Sequence, residues 1–175
     1  MISMARLHIR RLPVFVALIL STLDGPMFAQ QMPSGWHKPP ASSTQQGFRR
    51  KDPHRFLLAV GDFNGDGVKD EALLLVNDKR TKLGLFVCLK TAQECNWQLL
   101  EEMDVAFLDV MGVAAARPGK YQTACGKGYW ECEKGEPETL VIRHAAIEFF
   151  KDESASSYYV YKPKSKTFQQ IAISD

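Results

Sequence analysis

The sequence predicts a mainly β protein, built as an antiparallel meander or sandwich or as a partial β-propeller. Short apolar runs recur between turn residues about every 8 to 14 positions, as in all-β domains. The run Tyr158–Tyr161 combines aromatic and β-branched residues, which favour strands. No long stretch keeps the spacing of an amphipathic helix. These observations together favour antiparallel strands joined by short loops.

The first 29 residues are predicted to be a secretory signal peptide. Arginines at 6, 10 and 11 form a basic start, Leu12–Leu20 is a short apolar run, and Ala29 offers a small residue for cleavage. The alternative is a buried N-terminal helix, which Pro13 and the flanking arginines disfavour. A run of nine is too short for a membrane helix, which needs about 20 residues. We therefore expect a periplasmic or secreted protein without a membrane anchor after cleavage.

Residues 30–54 are predicted to form an N-terminal arm. The segment is rich in Pro, Ser and Gln up to Gln46, which favours a mobile arm or an extended strap over a core element. A basic run, Arg49–Arg55, closes it and is typical of a solvated segment. Ordered structure is expected to begin near Arg55, and residues 55–175 are expected to form one β-rich domain.

Nine strands are expected within this domain, each an apolar run bounded by turn residues. They are Phe56–Val60, Ala72–Val76, Leu83–Leu89, Trp97–Glu101, Val105–Ala115, Thr139–Arg143, Ala146–Phe150, Ser157–Tyr161 and Phe168–Ile173. One or two helical turns over Asp104–Met111 are an alternative to the fifth strand. The chain shows no internal repeat, which argues against a complete propeller from this chain alone.

Four cysteines form two Cys-x6-Cys sets, Cys88 with Cys95 and Cys125 with Cys132. An even number of cysteines in an exported chain indicates disulfides. Three connectivities are possible, and we favour the two local pairs because each could close a hairpin. Structural zinc would require Cys-x2-Cys spacing, which this chain lacks.

A loop rich in Asp and Gly lies between the first two expected strands and predicts a calcium site. Calcium prefers six to eight hard oxygen ligands, and this spacing places them in one short loop where Gly67 permits the sharp turn. Position 12 is Leu73, so the bidentate glutamate of an EF-hand is missing, and the flanks are strands instead of helices. The expected ligands are the side chains of Asp62, Asn64, Asp66 and Asp70 and the carbonyl of Val68.

The segment Val60–Leu74 resembles the FG-GAP or VCBS-like family, whose repeats carry Asp-x-Asn-x-Asp-Gly-x-x-Asp beside a strand, as in integrin-type propellers. The resemblance covers about 20 residues and one copy of the motif, where the family carries several. It implies calcium binding by the five residues of the loop and no particular activity.

The net charge and the absence of common catalytic motifs reduce the number of function classes to consider. Removal of the leader lowers the 22 basic and 20 acidic residues to 19 of each, which gives no reason to expect a nucleic-acid partner. No His-Glu-x-x-His, Gly-x-Ser-x-Gly or phosphate-binding loop occurs, and a lone histidine such as His144 is more often structural than catalytic. We therefore expect that the protein is not an enzyme.

Tyr129 and Trp130 lie inside the Cys125–Cys132 interval and are the candidate partner-binding residues. Rigid loops carrying Tyr and Trp suit protein recognition, because these side chains give large contact area at low entropy cost. The alternative is that both rings pack inward as core. The expected function is a binding protein, in style like a periplasmic inhibitor or immunity protein against a secreted hydrolase or toxin. The alternative is a calcium-stabilised structural or adhesive module of the cell envelope.

Overall fold

The computed structural model describes residues 31–44, 47–91 and 94–175, and this part of the chain is mainly β, as predicted. It contains eleven strands and three 3₁₀ turns, and none of the helices there is long and apolar enough to span a membrane. The strands are β1 (Trp36–His37), β2 (Leu58–Gly61), β3 (Asp70–Asn77), β4 (Lys82–Lys90), β5 (Cys95–Asp104), β6 (Met111–Ala116), β7 (Gly119–Gln122), β8 (Thr139–Ile142), β9 (Ala146–Lys151), β10 (Ser156–Lys162) and β11 (Thr167–Ser174).

Antiparallel pairing organises these strands into three sheets. The first sheet runs β3–β4–β5, and β1 and β2 share the remaining edge of β3, each pairing with a different end of it. The second sheet has the order β11–β10–β9–β6, and β7 pairs with β8 in a separate ribbon. The result is two packed sheets and a ribbon, without the radial repetition of a propeller among the described residues.

The main core lies between the two larger sheets. Side chains alternate along a strand, so every second residue of β3, such as Leu74, faces inward with Leu85 and Val87 of β4. They meet Ile147 and Phe149 of β9, and all five side chains are buried. Because both sheets contribute to one cluster, the architecture is a two-layer sandwich.

The N-terminal segment covers the outer face of the first sheet. Trp36 packs edge-on against Phe86 with 4.9 Å between ring centroids, and Met32 joins the same apolar cluster. Gly84 makes this possible, because a Cβ there would lie 2.9 Å from the Trp36 ring. The indole N–H of Trp97 also donates to the carbonyl of Gln31 at 2.9 Å. Residues 31–37 of the arm therefore form a strap against the sheet, whereas two 3₁₀ turns, Ala41–Ser43 and Gly47–Arg49, follow it.

Arg49 corrects the expectation that ordered structure begins near Arg55 and that this basic run is solvated. Its side chain is fully buried, and its guanidinium donates to the carbonyls of Arg55, Leu108 and Met111. Burial lowers the pKa of Arg49 to about 10, although nearby carboxylates oppose the shift. The arginine supplies donors to two buried backbone carbonyls, of Leu108 and Met111, and to the half-buried carbonyl of Arg55. Ordered structure thus includes part of the predicted arm.

Two further expectations about strands are corrected. The segment expected as one strand over Val105–Ala115 begins with a 3₁₀ turn, Val105–Asp109, which Asp104 caps by accepting a hydrogen bond from the Ala106 N–H at 2.8 Å. Only its second half is a strand, β6. Strand β7 was not expected, because its four residues contain no apolar run. The β7–β8 ribbon covers the outer face of the second sheet.

Candidate functional site

The loop between β2 and β3 is a hairpin connection that folds around its own acidic side chains. Gly65 and Gly67 have φ of +80° and +88°, a region that glycine adopts without the steric cost of a Cβ. These two residues let the chain wrap, so that successive backbone N–H groups turn inward. A Cβ on Gly65 would also lie 2.8 Å from the His144 ring, which packs against the loop.

The carboxylate of Asp62 lies at the centre of this loop. Its Oδ1 atom accepts hydrogen bonds from the N–H groups of Gly65 at 2.7 Å and Asp66 at 3.1 Å, and its Oδ2 atom accepts from Gly67 at 3.0 Å. Three backbone donors therefore hold one carboxylate in place. A carboxylate has about four lone-pair sites, so this arrangement leaves capacity for one further electropositive partner.

Asn64 and Asp66 are linked to each other within the loop. The amide Nδ2 of Asn64 donates to Asp66 Oδ2 at 2.8 Å, and the Asp66 N–H donates to Asn64 Oδ1 at 3.0 Å. The Val68 N–H donates to the second carboxylate oxygen of Asp66 at 2.8 Å. Both side chains are accessible to solvent, and their oxygen atoms lie on the loop that the sequence marks as a calcium site.

Asp70 differs from the other acids because it is completely buried. Its carboxylate accepts from the N–H groups of Phe63 and Lys90, both at 2.9 Å, and so ties the loop to the end of β4. Burial raises the pKa of Asp70, and the nearby charge of Asp66 adds to this effect. The ammonium of Lys90 pairs with Glu71 instead. A buried carboxylate beside a second acid is a setting that a cation would stabilise.

The oxygen atoms of the 62–70 loop are the donors that a hard cation prefers. The distances between them show how far the loop would have to move to bind one. Two oxygens bound to one calcium at about 2.4 Å lie no more than about 4.8 Å apart. In the described part of the chain, the group of three metal-capable side chains that meets this limit is Cys125, Cys132 and Glu136, whose cysteines are joined in a disulfide. The loop acids are spread more widely, so calcium would have to draw them together.

Both cysteine pairs predicted from spacing are confirmed. Cys88–Cys95 joins β4 to β5 beside their connection, and Cys125–Cys132 closes the loop between β7 and β8. Disulfides form and persist in oxidising compartments, so the pairs indicate an extracytoplasmic environment. The predicted leader, residues 1–29, lies outside the described residues.

Tyr129 and Trp130 are exposed on the disulfide-closed loop, with 53% and 39% of their surface accessible. The alternative, in which both rings pack inward as core, is therefore not the one observed. The loop has internal support: the Tyr129 N–H donates to the Ala124 carbonyl at 3.1 Å, and the Trp130 indole N–H donates to Glu136 at 3.3 Å. The two aromatic side chains thus stand on a braced surface loop.

A groove of about 530 Å³ lies beside this loop. One wall is the stretch from Trp130 to Pro137, and the other is residues 169–172 of β11. Sequence reasoning did not place β11 here, because about 30 residues separate the two walls in the chain. The four glutamates within residues 131–138 were the available signal, but they do not by themselves identify the strand on the other side.

Comparison with protein-family models, with curated proteins and with solved structures finds no match. The resemblance to FG-GAP or VCBS-like repeats therefore rests on the loop residues alone. The fold and the two loops define the chain as a disulfide-bonded, antiparallel β protein.

Proposed function

We propose that this chain is an exported binding protein that recognises a protein partner through Tyr129 and Trp130 and is stabilised by calcium at the 62–70 loop. The observation that carries the proposal is the exposure of two adjacent aromatic side chains on a loop closed by a disulfide. Large exposed rings are costly to leave in water, and Tyr and Trp are enriched at the energetic centres of protein interfaces. A braced loop loses little entropy on binding.

Calcium enters the proposal through the chemistry of the hairpin loop. Asp70 is buried beside Asp66, and its carboxylate is held by two backbone N–H groups. Asp62, Asn64 and the Val68 carbonyl complete the proposed oxygen set. The metal would neutralise the acids and fix the 62–70 loop. It would take no part in partner recognition, which the proposal assigns to the 125–132 loop.

The partner class that suits such a loop is a secreted hydrolase or toxin, whose cleft a projecting aromatic loop can enter. On this proposal the protein is a periplasmic inhibitor or immunity protein. A structural or adhesive envelope module is the alternative function, and it would require no cleft-bearing partner.

The test is retention of periplasmic hydrolases on immobilised mature protein, followed by affinity measurement for the retained enzyme and assay of its activity. Replacing Tyr129 and Trp130 with Ala should weaken affinity by about 30-fold or more for each residue, since hot spots typically cost about 2 kcal/mol or more. Val141→Ala, which truncates an exposed apolar residue on β8, is the matched control and should leave affinity unchanged. Unchanged affinity in both loop variants, with native circular dichroism, would contradict the proposed interface.

A further inference from the structure

The free edge of β11 lies beside the aromatic loop and offers a second kind of contact. We propose that the partner docks an extended segment into the groove, adds it as a strand to the edge of β11, and places a basic side chain against Glu133 and Glu136. This inference rests on the proposed function and specifies the chemistry of the partner. Strand addition supplies main-chain hydrogen bonds, and flanking side chains supply selectivity.

The edge of β11 is open along most of its length. In the second sheet β11 pairs with β10 on one side, and no described strand pairs with the other. The chain itself already uses this outer edge at one point, where the Ala124 N–H donates to the Ala172 carbonyl at 2.9 Å. The edge is therefore competent for main-chain pairing, and the chain occupies only its C-terminal end.

The register identifies which backbone groups remain for a partner. Pairing with β10 is regular from Thr167 to Ala172, and the irregularity lies beyond it, at Ile173. Backbone groups of a strand point to alternate edges. Since the Ala172 carbonyl points outward, the N–H and carbonyl groups of Gln170 and Phe168 point outward as well. Two residues thus present four main-chain groups in a row.

The groove follows this edge instead of one face of the sheet. Its β11 wall comprises consecutive residues, Gln169–Ala172, whose side chains alternate between the two faces. Gln169 and Gln170 are exposed, which leaves the strand accessible from the side. A cleft beside a strand edge has the shape of a second strand, whose spacing from the first would be about 4.8 Å.

Charge selects the side chains that such a segment would carry. The opposite wall holds Glu133, Glu136 and Lys134, and Glu136 is kept in place by hydrogen bonds from the Trp130 indole and from the Glu133 N–H at 3.1 Å. Lys127, which lies inside the disulfide-closed loop, donates to the Ile173 carbonyl at 2.8 Å. The wall is acidic overall, so a Lys or Arg of the partner fits it.

The test uses displayed random ten-residue peptides selected on the mature protein, with the best binders then synthesised. Gln170→Pro removes the outward N–H while leaving the pairing with β10 intact, because an edge strand tolerates proline where its N–H faces outward. Gln170→Ala keeps the N–H and is the matched control. Selected peptides should contain Lys or Arg, and their affinity should fall at least tenfold with Gln170→Pro and with Glu133→Gln/Glu136→Gln, and stay within twofold with Gln170→Ala.

The outcomes separate this inference from the proposed function. Peptides that lose affinity in Trp130→Ala but bind Gln170→Pro normally would leave the aromatic loop as an interface and overturn strand addition. Peptides that depend on neither residue, or a selection that yields no binder, would overturn strand addition. The proposed function fails separately, when the retained hydrolase binds the Tyr129→Ala and Trp130→Ala variants with unchanged affinity. Dimerisation of the wild type that Gln170→Pro abolishes would identify a second copy of the chain as the occupant and overturn a foreign partner. Native circular dichroism and an unchanged melting temperature are required of each variant.

Discussion

Tyr159 and Glu101 form a hydrogen bond between the two sheets of the sandwich. The Tyr159 hydroxyl on β10 donates to Glu101 Oε2 on β5 at 2.8 Å. Strand β5 is an edge of the first sheet, so this contact joins that edge to the interior of the second. Burial and the Glu101 carboxylate both raise the pKa of Tyr159, which keeps the hydroxyl protonated as the donor.

Removal of this hydrogen bond should destabilise the fold. Hydrogen bonds to charged groups contribute about 1.5–3 kcal/mol, and Glu101 is half-buried, so Tyr159→Phe should lower the free energy of unfolding by about that amount. Urea denaturation measures the change. Tyr161→Phe, on the same strand with its ring packed against Phe168, is the control and should cost less. Equal losses in the two variants would show that the hydroxyl of Tyr159 contributes nothing specific.

Arg49 should be among the most sensitive positions outside the apolar core. Arg49→Met fills similar space but removes the donor from two buried carbonyls, of Leu108 and Met111, and from the half-buried carbonyl of Arg55, and each unsatisfied buried group costs about 1–3 kcal/mol. We expect a loss of at least 3 kcal/mol in chemical denaturation, or failure to fold. Arg50→Met, at the exposed neighbour, should change stability by less than about 0.5 kcal/mol. A tolerant Arg49→Met would mean that these carbonyls find other donors.

Calcium should raise the melting temperature by a few degrees. Single-loop extracellular sites bind calcium at about 0.1–1 mM, so 10 mM calcium would stabilise the fold by about 1.4–2.7 kcal/mol. Magnesium should do less, because it requires tighter octahedral geometry. Asp66→Ala should abolish the response, while Lys69→Ala, which alters a non-ligand in the same loop, should retain it. Identical melting curves in chelator and in 10 mM calcium would remove the metal from the proposal.

The fold should lose stability at alkaline pH. Burial, with help from Glu148, raises the pKa of Tyr158 to about 12 from 10. The neutral phenol is favoured in the folded state, so its contribution is present below pH 10 and is lost as the pH rises from 10 to 12. The loss is on the order of 2 kcal/mol. Tyr158→Phe should reduce this decline in guanidinium unfolding series; an unaltered pH profile would assign the decline to other groups.

The sequence predicted the strands that have long apolar runs, because burial on one or both faces imposes a pattern. It also predicted both disulfides, since each spans a short interval that a hairpin or loop closes. It did not predict β1, whose two residues gain their place from pairing with β3 and from the Trp36–Phe86 contact. The burial of Arg49 was not predicted for a related reason: nothing in the neighbouring sequence distinguishes a buried arginine from the exposed ones in the same basic run.

The two candidate sites show the same limit of prediction from sequence: local features could be predicted, and features that depend on tertiary contacts could not. The calcium loop is local, so its residues could be named from spacing, although the burial of Asp70 depends on β4. The exposure of Tyr129 and Trp130 could not be decided from sequence, because aromatic residues are equally typical of cores and interfaces. The groove depends on the meeting of residues 130–137 with β11, which only the tertiary structure supplies.

The local pairing of the cysteines has a kinetic consequence. Each partner lies seven positions along the chain from the other, and segments of about ten residues close in about 10–100 ns, far faster than a β sandwich forms. Native thiols thus meet often in a chain that has no tertiary structure, whereas Cys88 would meet Cys125 only across a much longer loop. Oxidation can then proceed with little scrambling, and the hairpins enter the slower assembly already cross-linked.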